Sequence, residues 1–468
     1  MPPKAPARVR SAVAAWVLAI ATAAGADDPF RVSGRPPESV VVTLPQTPTC
    51  DAEPVPMLGR LRGVLEVVDP PALVGLRRGL GRVLDPAETA EAVPIGMVHL
   101  SRDADHARLE LLELPGGLRA VRQAGPGDGH AWLLRPAALD ACAIEWWQAG
   151  WTPQPAKPGE RIALAGNATP APTTLDALST RRIFRANYPR LTRDLASETV
   201  HIRLPDPYDP SVPAGVLVWI SPVADGRLPP LYERALDELG FIAVGADNAG
   251  NERELTDRYQ LMLDAIESAR RRFLIDDERI YVSGMSGGGR SAAILQCTMP
   301  DLFAGAVPIV GLDSYHDAPT GRGTTRWPAR FGKPIPAVFK VLETRRIAAI
   351  TGDMDFNEPE MRVRTDLMKQ DGIEIRLDTV PGMAHTLADA ARFRDALRWV
   401  DEPRREQIQR GGAEAMALLA KVPPGPATDP AVRAALIEVI RAGPWSDAAW
   451  AAAERLGHSR ERFVSPSP

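Results

Sequence analysis

The chain has 468 residues, 45% of them hydrophobic and 24% charged, with a formal net charge of −4. That length suits two or three domains, and the composition is ordinary for folded globular protein. The mildly acidic balance excludes the basic footprint of a nucleic-acid binder and gives no reason to seek an anionic membrane. Three cysteines without paired spacing exclude a zinc-finger pattern, and no Gly-rich loop matches a dinucleotide or Walker motif. No organic cofactor and no metal is predicted.

In chain order, residues 1–26 read as a secretory signal. Lys4, Arg8 and Arg10 precede an apolar run over 11–21, then the small-x-small triplet Ala24-Gly25-Ala26. The run is short for a membrane span. The expected localisation is secreted or periplasmic, with an uncleaved N-terminal anchor as the alternative. Removing these residues and their +3 charge would leave a net charge of −7.

Residues 27–165 predict a smaller β-rich domain of unknown role. Alternating segments at 108–111 and 117–122 flank Pro115-Gly116, a hairpin signal, and 130–134 reads as another strand. A helix is expected near 71–82. Trp146, Trp147 and Trp151 are candidates for an aromatic platform that holds a polymer or sugar, or for ordinary core. Export would permit a disulfide between Cys50 and Cys142, leaving Cys297 as a buried small hydrophobe. Residues 166–199 begin with a Pro/Ala/Thr-rich stretch and read as a linker.

From 200 to 401 short apolar runs alternate with amphipathic stretches, the pattern of a mostly parallel sheet with helices on both faces. Residues 216–220 and 241–245 are buried-strand candidates. Between them 231–239 predicts a helix ended by Gly240, and 255–273 predicts a longer helix with Leu255, Tyr259, Met262, Leu263, Ile266 and Ala269 on one face. Residues 402–468 predict an Ala-rich helical extension, broken by Pro423-Pro424-Gly425-Pro426.

Chemistry concentrates at Gly284-Met285-Ser286-Gly287-Gly288, between an apolar run at 279–282 and a small-residue helical stretch. A strand turning abruptly into a helix strains its middle residue, and Cβ atoms two positions to either side would collide with neighbouring elements. The turn raises Ser286 as a nucleophile. Of the histidines only His316, His385 and His458 follow it. His385 leaves the last predicted strand at the sheet's carboxyl edge, where open α/β sheets carry their sites. His316 comes too early and His458 lies in a polar tail. Two carboxylates compete for the acid after the strand at 346–350, Asp353 and Asp355; Asp commonly holds a turn by binding backbone amides.

The region 200–399 resembles the α/β-hydrolase superfamily, in its esterase and polyhydroxyalkanoate-depolymerase-like branch. The match rests on 215–222, on 276–290 around Ser286, on 300–306, on Thr351-Gly352-Asp353-Met354-Asp355-Phe356-Asn357 and on Pro381-Gly382-Met383-Ala384-His385. Hydrolases of this kind place the acid three residues beyond the strand-ending glycine, which favours Asp355 over Asp353. The order Ser286, Asp355, His385 is the order of the fold. The branch often carries His-Gly where this chain has Ser221-Pro222. The resemblance implies Gly287 as one oxyanion donor; Pro222 has no N–H, so Val223, or else Ser221, is expected as the second. Met285, Asn248, Asn251 and, from the long connection 312–344, Tyr315, His316 and Trp327 are candidate pocket residues.

The expected protein is an exported serine hydrolase that cleaves small-molecule or polymer-linked carboxylic esters. The alternatives are a serine peptidase on the same fold and a non-catalytic binding protein on a hydrolase scaffold.

Overall fold

The structure is a computed structural model. It describes residues 154, 156–169, 171 and 192–460 except 301, 335, 444, 458 and 459, together with the backbone of strands between 32 and 134. The chain divides into two units, Met1–Gly150 and Trp151–Pro468. The expected signal segment, the tryptophan trio, Cys50 and Cys142 fall outside the described residues.

In the first unit β1 (Leu80–Leu84), β2 (Val93–Arg102), β3 (Asp105–Glu113), β4 (Arg119–Gln123) and β5 (Ala131–Leu134) form an antiparallel sheet in the order β1-β5-β4-β3-β2. Strands β3 and β4 pair Leu111 with Val121, while the Pro115-Gly116 hairpin signal between them lies outside the described residues. The helix expected near 71–82 meets strand instead at its end, since Leu80, Gly81 and Arg82 belong to β1; its remainder lies outside the described residues.

The second unit is built on eight strands: β6 (Arg161–Ala165), β7 (Thr199–Arg203), β8 (Ala214–Ile220), β9 (Phe241–Ala246), β10 (Ile275–Met285), β11 (Gly305–Ile309), β12 (Arg346–Gly352) and β13 (Glu374–Val380). Their order is β13-β12-β11-β10-β8-β9-β7-β6. The six from β8 onward are parallel, while β7 and β6 join antiparallel at one edge. All seven residues of β8 are buried, and they alternate between two cores. Val216, Val218 and Ile220 face α2 (Leu255–Arg270) and α3 (Gly287–Thr298); Leu217 and Trp219 face α1 (Glu233–Leu239) and the long α6 (Ala390–Leu419), which follows α4 (Pro336–Leu342) and α5 (Glu358–Gln370) in the chain. A parallel strand covered on both faces needs such a continuous apolar run. Gly240 ends α1 in the left-handed conformation, φ 69°, that a Cβ disfavours.

Two boundaries differ from the sequence expectation. Strand β6 belongs to the second unit, so the first unit ends at Gly150 rather than at 165. The described ends of the stretch read as a linker, 166–169, 171 and 192–199, also make contacts, and its remainder lies outside the described residues. The Thr169 and Ala171 N–H groups donate to Ser268 and Asp264 of α2, and Thr192 donates to Asp257. Arg193 pairs with Asp264. With this cover α2 is buried nearly all round from Thr256 to Ala269, rather than on one face only. At the other end α6 runs through position 402 without interruption, and α7 (Pro430–Ala442) and α8 (Asp447–Arg455) pack against it beyond the proline-rich break.

Candidate active site

Strand β10 ends at Met285, and α3 starts at Gly287. Ser286 between them has φ 55° and ψ −118°, a strained backbone for a residue with a side chain. Its N–H is held by the Ile309 carbonyl at 2.8 Å, and its own carbonyl accepts the first helical bond from Arg290. A Cβ on either Gly284 or Gly288 would overlap the Ile220 carbonyl oxygen at the end of β8. Glycine at both positions lets β8 pass close beneath the turn.

The base and the acid arrive from the next strands along the same edge. His385 follows β13, and its Nε2 lies 2.8 Å from Ser286 Oγ. Its Nδ1 lies 2.8 Å from Asp355 Oδ1. Asp355 is buried; the Asn357 N–H (3.1 Å) donates to Oδ1 and the Thr351 hydroxyl (2.7 Å) to Oδ2. Asp353 is exposed and accepts the Gly382 N–H at 2.7 Å, holding the turn that delivers His385. The two competing carboxylates therefore divide the work: Asp355 meets the imidazole, and Asp353 fixes the loop.

A serine on a strained strand–helix turn, with a histidine and a buried aspartate in chain order from the following strands, is a Ser-His-Asp relay on a doubly covered sheet. Residues 247–404 match the family model of the prolyl oligopeptidase family. The second unit has the α/β-hydrolase fold.

Among solved structures the chain is similar to an S-formylglutathione hydrolase of Staphylococcus aureus (15% identity, TM-score 0.34, covering 43% of this chain and 92% of that one). It is also similar to a fluorophosphonate-binding serine hydrolase of S. aureus (15%, 0.35, 52% and 98%) and to Est1E of Butyrivibrio proteoclasticus (17%, 0.33, 47% and 98%). No curated protein matches the chain in sequence.

The loop expected to supply the second oxyanion donor follows β8. Gly287, as the first residue of α3, has an N–H without an intrahelical partner. The Val223 N–H is engaged by Ser221 Oγ at 3.2 Å. The loop is zipped to the one after β9: the Asn248 N–H donates to Ala224 O (2.7 Å) and the Asn251 N–H to Pro222 O (3.0 Å). Asn248 takes φ 56°, a turn conformation that asparagine tolerates. The Asn251 carboxamide lies so close to Gly287 that a Cβ there would overlap its Oδ1.

The remaining pocket candidates differ in their surroundings. Met285 is half-buried beside the nucleophile, and Ser221 is buried. Tyr315 is buried edge-on to Phe331 and Phe339. His316 Nε2 lies 3.0 Å from Asp371; burial, with the charges of Lys333 and Arg364, holds its pKa below the ordinary value despite Asp371. Trp327 belongs to a small ladder in which Arg326–Trp327 pairs with Ala318–Pro319. These last three make no hydrogen bond with the triad among the described residues.

Several residues around the site carry no motif. Phe356, 75% exposed, stacks on the His385 ring with centroids 4.3 Å apart. With exposed Met354 and Val223 it puts apolar surface on the two loops that flank the nucleophile. Arg290, one turn after Ser286, binds Asn357 Oδ1 (3.0 Å), Glu360 (2.7 Å) and Asp313 (2.8 Å), tying the nucleophile helix to the acid's loop. Fully buried Arg364 extends this network from Glu360 to the carbonyls of His316 and Pro328, anchoring the 312–344 connection. Buried Arg258 donates to the Ser221 carbonyl at 2.8 Å, beneath the oxyanion loop. An amphipathic pattern hides such residues, because their partners come from distant segments.

Proposed function

We propose that the chain is an exported serine hydrolase that cleaves carboxylic esters carrying an apolar group. The relay Ser286–His385–Asp355, with both links at 2.8 Å, carries this reading. Ser286 Oγ attacks the acyl carbonyl while His385 Nε2 takes its proton. Asp355 keeps the imidazole tautomer and stabilises the imidazolium. The Gly287 N–H, with the Val223 N–H once released from Ser221 Oγ, meets the oxyanion. His385 then protonates the leaving alcohol, and water resolves the acyl-enzyme. The exposed ring of Phe356 with Met354 and Val223 supports an apolar acyl or alcohol part.

A second reading, a serine peptidase, is favoured by the family match over 247–404. A panel of p-nitrophenyl acyl esters beside peptide p-nitroanilides separates the two. Ester turnover lost in Ser286→Ala, with no amide cleavage, supports the esterase. Peptide turnover exceeding ester turnover overturns it. Wild type that fails to react with a fluorophosphonate refutes both. N-terminal sequencing of the exported protein tests cleavage after Ala26.

A further inference from the structure

Behind the oxyanion loop, on the same edge of the sheet, three side chains converge from three segments. His201 stands on β7 opposite Gly245 of β9, and Asp247 follows β9 directly. Asp225 lies on the loop after β8. One ring nitrogen and two carboxylate oxygens from these residues all lie within 4.8 Å of one another, the one group with metal-ligand spacing among the described residues. His201 Nε2 is shielded from solvent and sits 2.9 Å from Asp247 Oδ1, yet no hydrogen bond of acceptable geometry satisfies it. Asp247 Oδ1 accepts the Gly226 N–H instead, at 2.9 Å.

We propose that His201 Nε2 and one carboxylate oxygen each from Asp225 and Asp247 bind a divalent cation of the zinc type. A solvent-shielded ring nitrogen that faces two carboxylates without a well-aligned hydrogen bond is a ready ligand. One imidazole with two carboxylates suits Zn2+ or Mn2+ better than Ca2+, which takes oxygens throughout. Two anionic ligands also balance the ion's charge. Arg227 binds Asp225 through its backbone N–H and Nε on Oδ1 (both 2.9 Å) and through Nη2 on Oδ2 (2.5 Å), occupying three of the about four lone-pair sites of a carboxylate. Since the Arg227 side chain is largely exposed, it yields one of them without disturbing the core. A cleft of about 620 Å3, lined by His201, Asp225, Arg227 and Leu228 among others, supplies the entry path and room for water on the ion's open positions.

The ion joins the exits of β8 and β9 to β7. Those exits form the zipped pair of loops that carry Val223 and Asn251 to the nucleophile. These three ligands are therefore positioning residues: they brace the oxyanion loop and touch no reacting atom.

The test uses the full chain, stripped with chelator, and Zn2+ as probe. Isothermal titration and metal analysis after desalting should find one Zn2+ per chain and a raised melting temperature. His201→Gln, Asp247→Asn and Asp225→Asn should each weaken binding at least tenfold. Asp225→Asn, on an exposed loop, keeps the fold if the other two do not. Cobalt substitution should give d–d absorption bands that His201→Gln abolishes. Absence of stoichiometric binding in wild type overturns the site, as does wild-type affinity in Asp225→Asn. None of these readouts depends on ester turnover, so the site and the proposed reaction fail separately.

Discussion

Replacing Asp355 by Asn isolates what the acid's charge contributes. Oδ1 accepts from His385 Nδ1 and from the Asn357 N–H, whereas Oδ2 accepts only from the Thr351 hydroxyl. The Asn357 N–H cannot accept, so the carboxamide oxygen stays at the Oδ1 position and its NH2 turns to Thr351, whose hydroxyl can accept. The fold and the imidazole tautomer survive; the negative charge facing the imidazolium is lost. For charges about 4 Å apart at an effective dielectric of about 20, that is roughly 4 kcal/mol. At 1.36 kcal/mol per decade, kcat/KM should fall about 10³-fold. If the amide flips and forces the wrong tautomer, the loss should approach 10⁴-fold. Asp353→Asn keeps an oxygen for the Gly382 N–H and should cost less than about tenfold. Steady-state hydrolysis of p-nitrophenyl butyrate, normalised by fluorophosphonate titration and accompanied by thermal melts, reads both. A loss in Asp355→Asn below tenfold, or a larger loss in Asp353→Asn, would refute the assignment.

Gly288→Ala drives a methyl into the Ile220 backbone, which cannot rotate away, and should destabilise the unit by about 3 kcal/mol with loss of probe labelling, checked by denaturant unfolding. Phe356→Ala removes the ring stacked on His385 and should lower kcat/KM for aromatic acyl esters by about five- to tenfold, roughly 1 kcal/mol, while acetyl esters change less; equal losses across the ester panel would argue against an apolar subsite. Glu360 gives a pH signature. Burial alone would raise its pKa, but bonds and charge from Arg290 and then Arg364 outweigh that and hold it below the ordinary value. A depressed carboxyl stabilises the fold above its unfolded pKa of about 4.3, and that stability is lost as pH falls through the folded value. Glu360→Gln should therefore be less stable than wild type at pH 7, with the difference shrinking below pH 4.3 in urea titrations; a constant difference would show that ionisation plays no part.

The parts of this fold set by local chemistry were legible in the chain. Continuous apolar runs fix β8 and β9 because a doubly covered strand has no polar face, and Gly240 marks the end of α1 because the αL position there excludes a Cβ. The Gly-x-Ser-x-Gly turn shows both its nucleophile and its need for small neighbours. Chain order then narrows the base to His385 and the acid to Asp353 or Asp355. What the sequence leaves open is settled by contacts between segments far apart in number. Only the packed structure turns Asp355 rather than Asp353 toward the imidazole, engages the Val223 N–H with Ser221 Oγ and sets the described ends of the supposed linker against α2. It alone brings His201 within reach of Asp225 and Asp247, a grouping whose spacing of 22 and 24 residues from Asp225 carries no motif. Backbone geometry acts over a few residues, so a sequence displays it directly. The meeting of side chains depends on how strands are ordered in the sheet, and that order exists only once the core has formed.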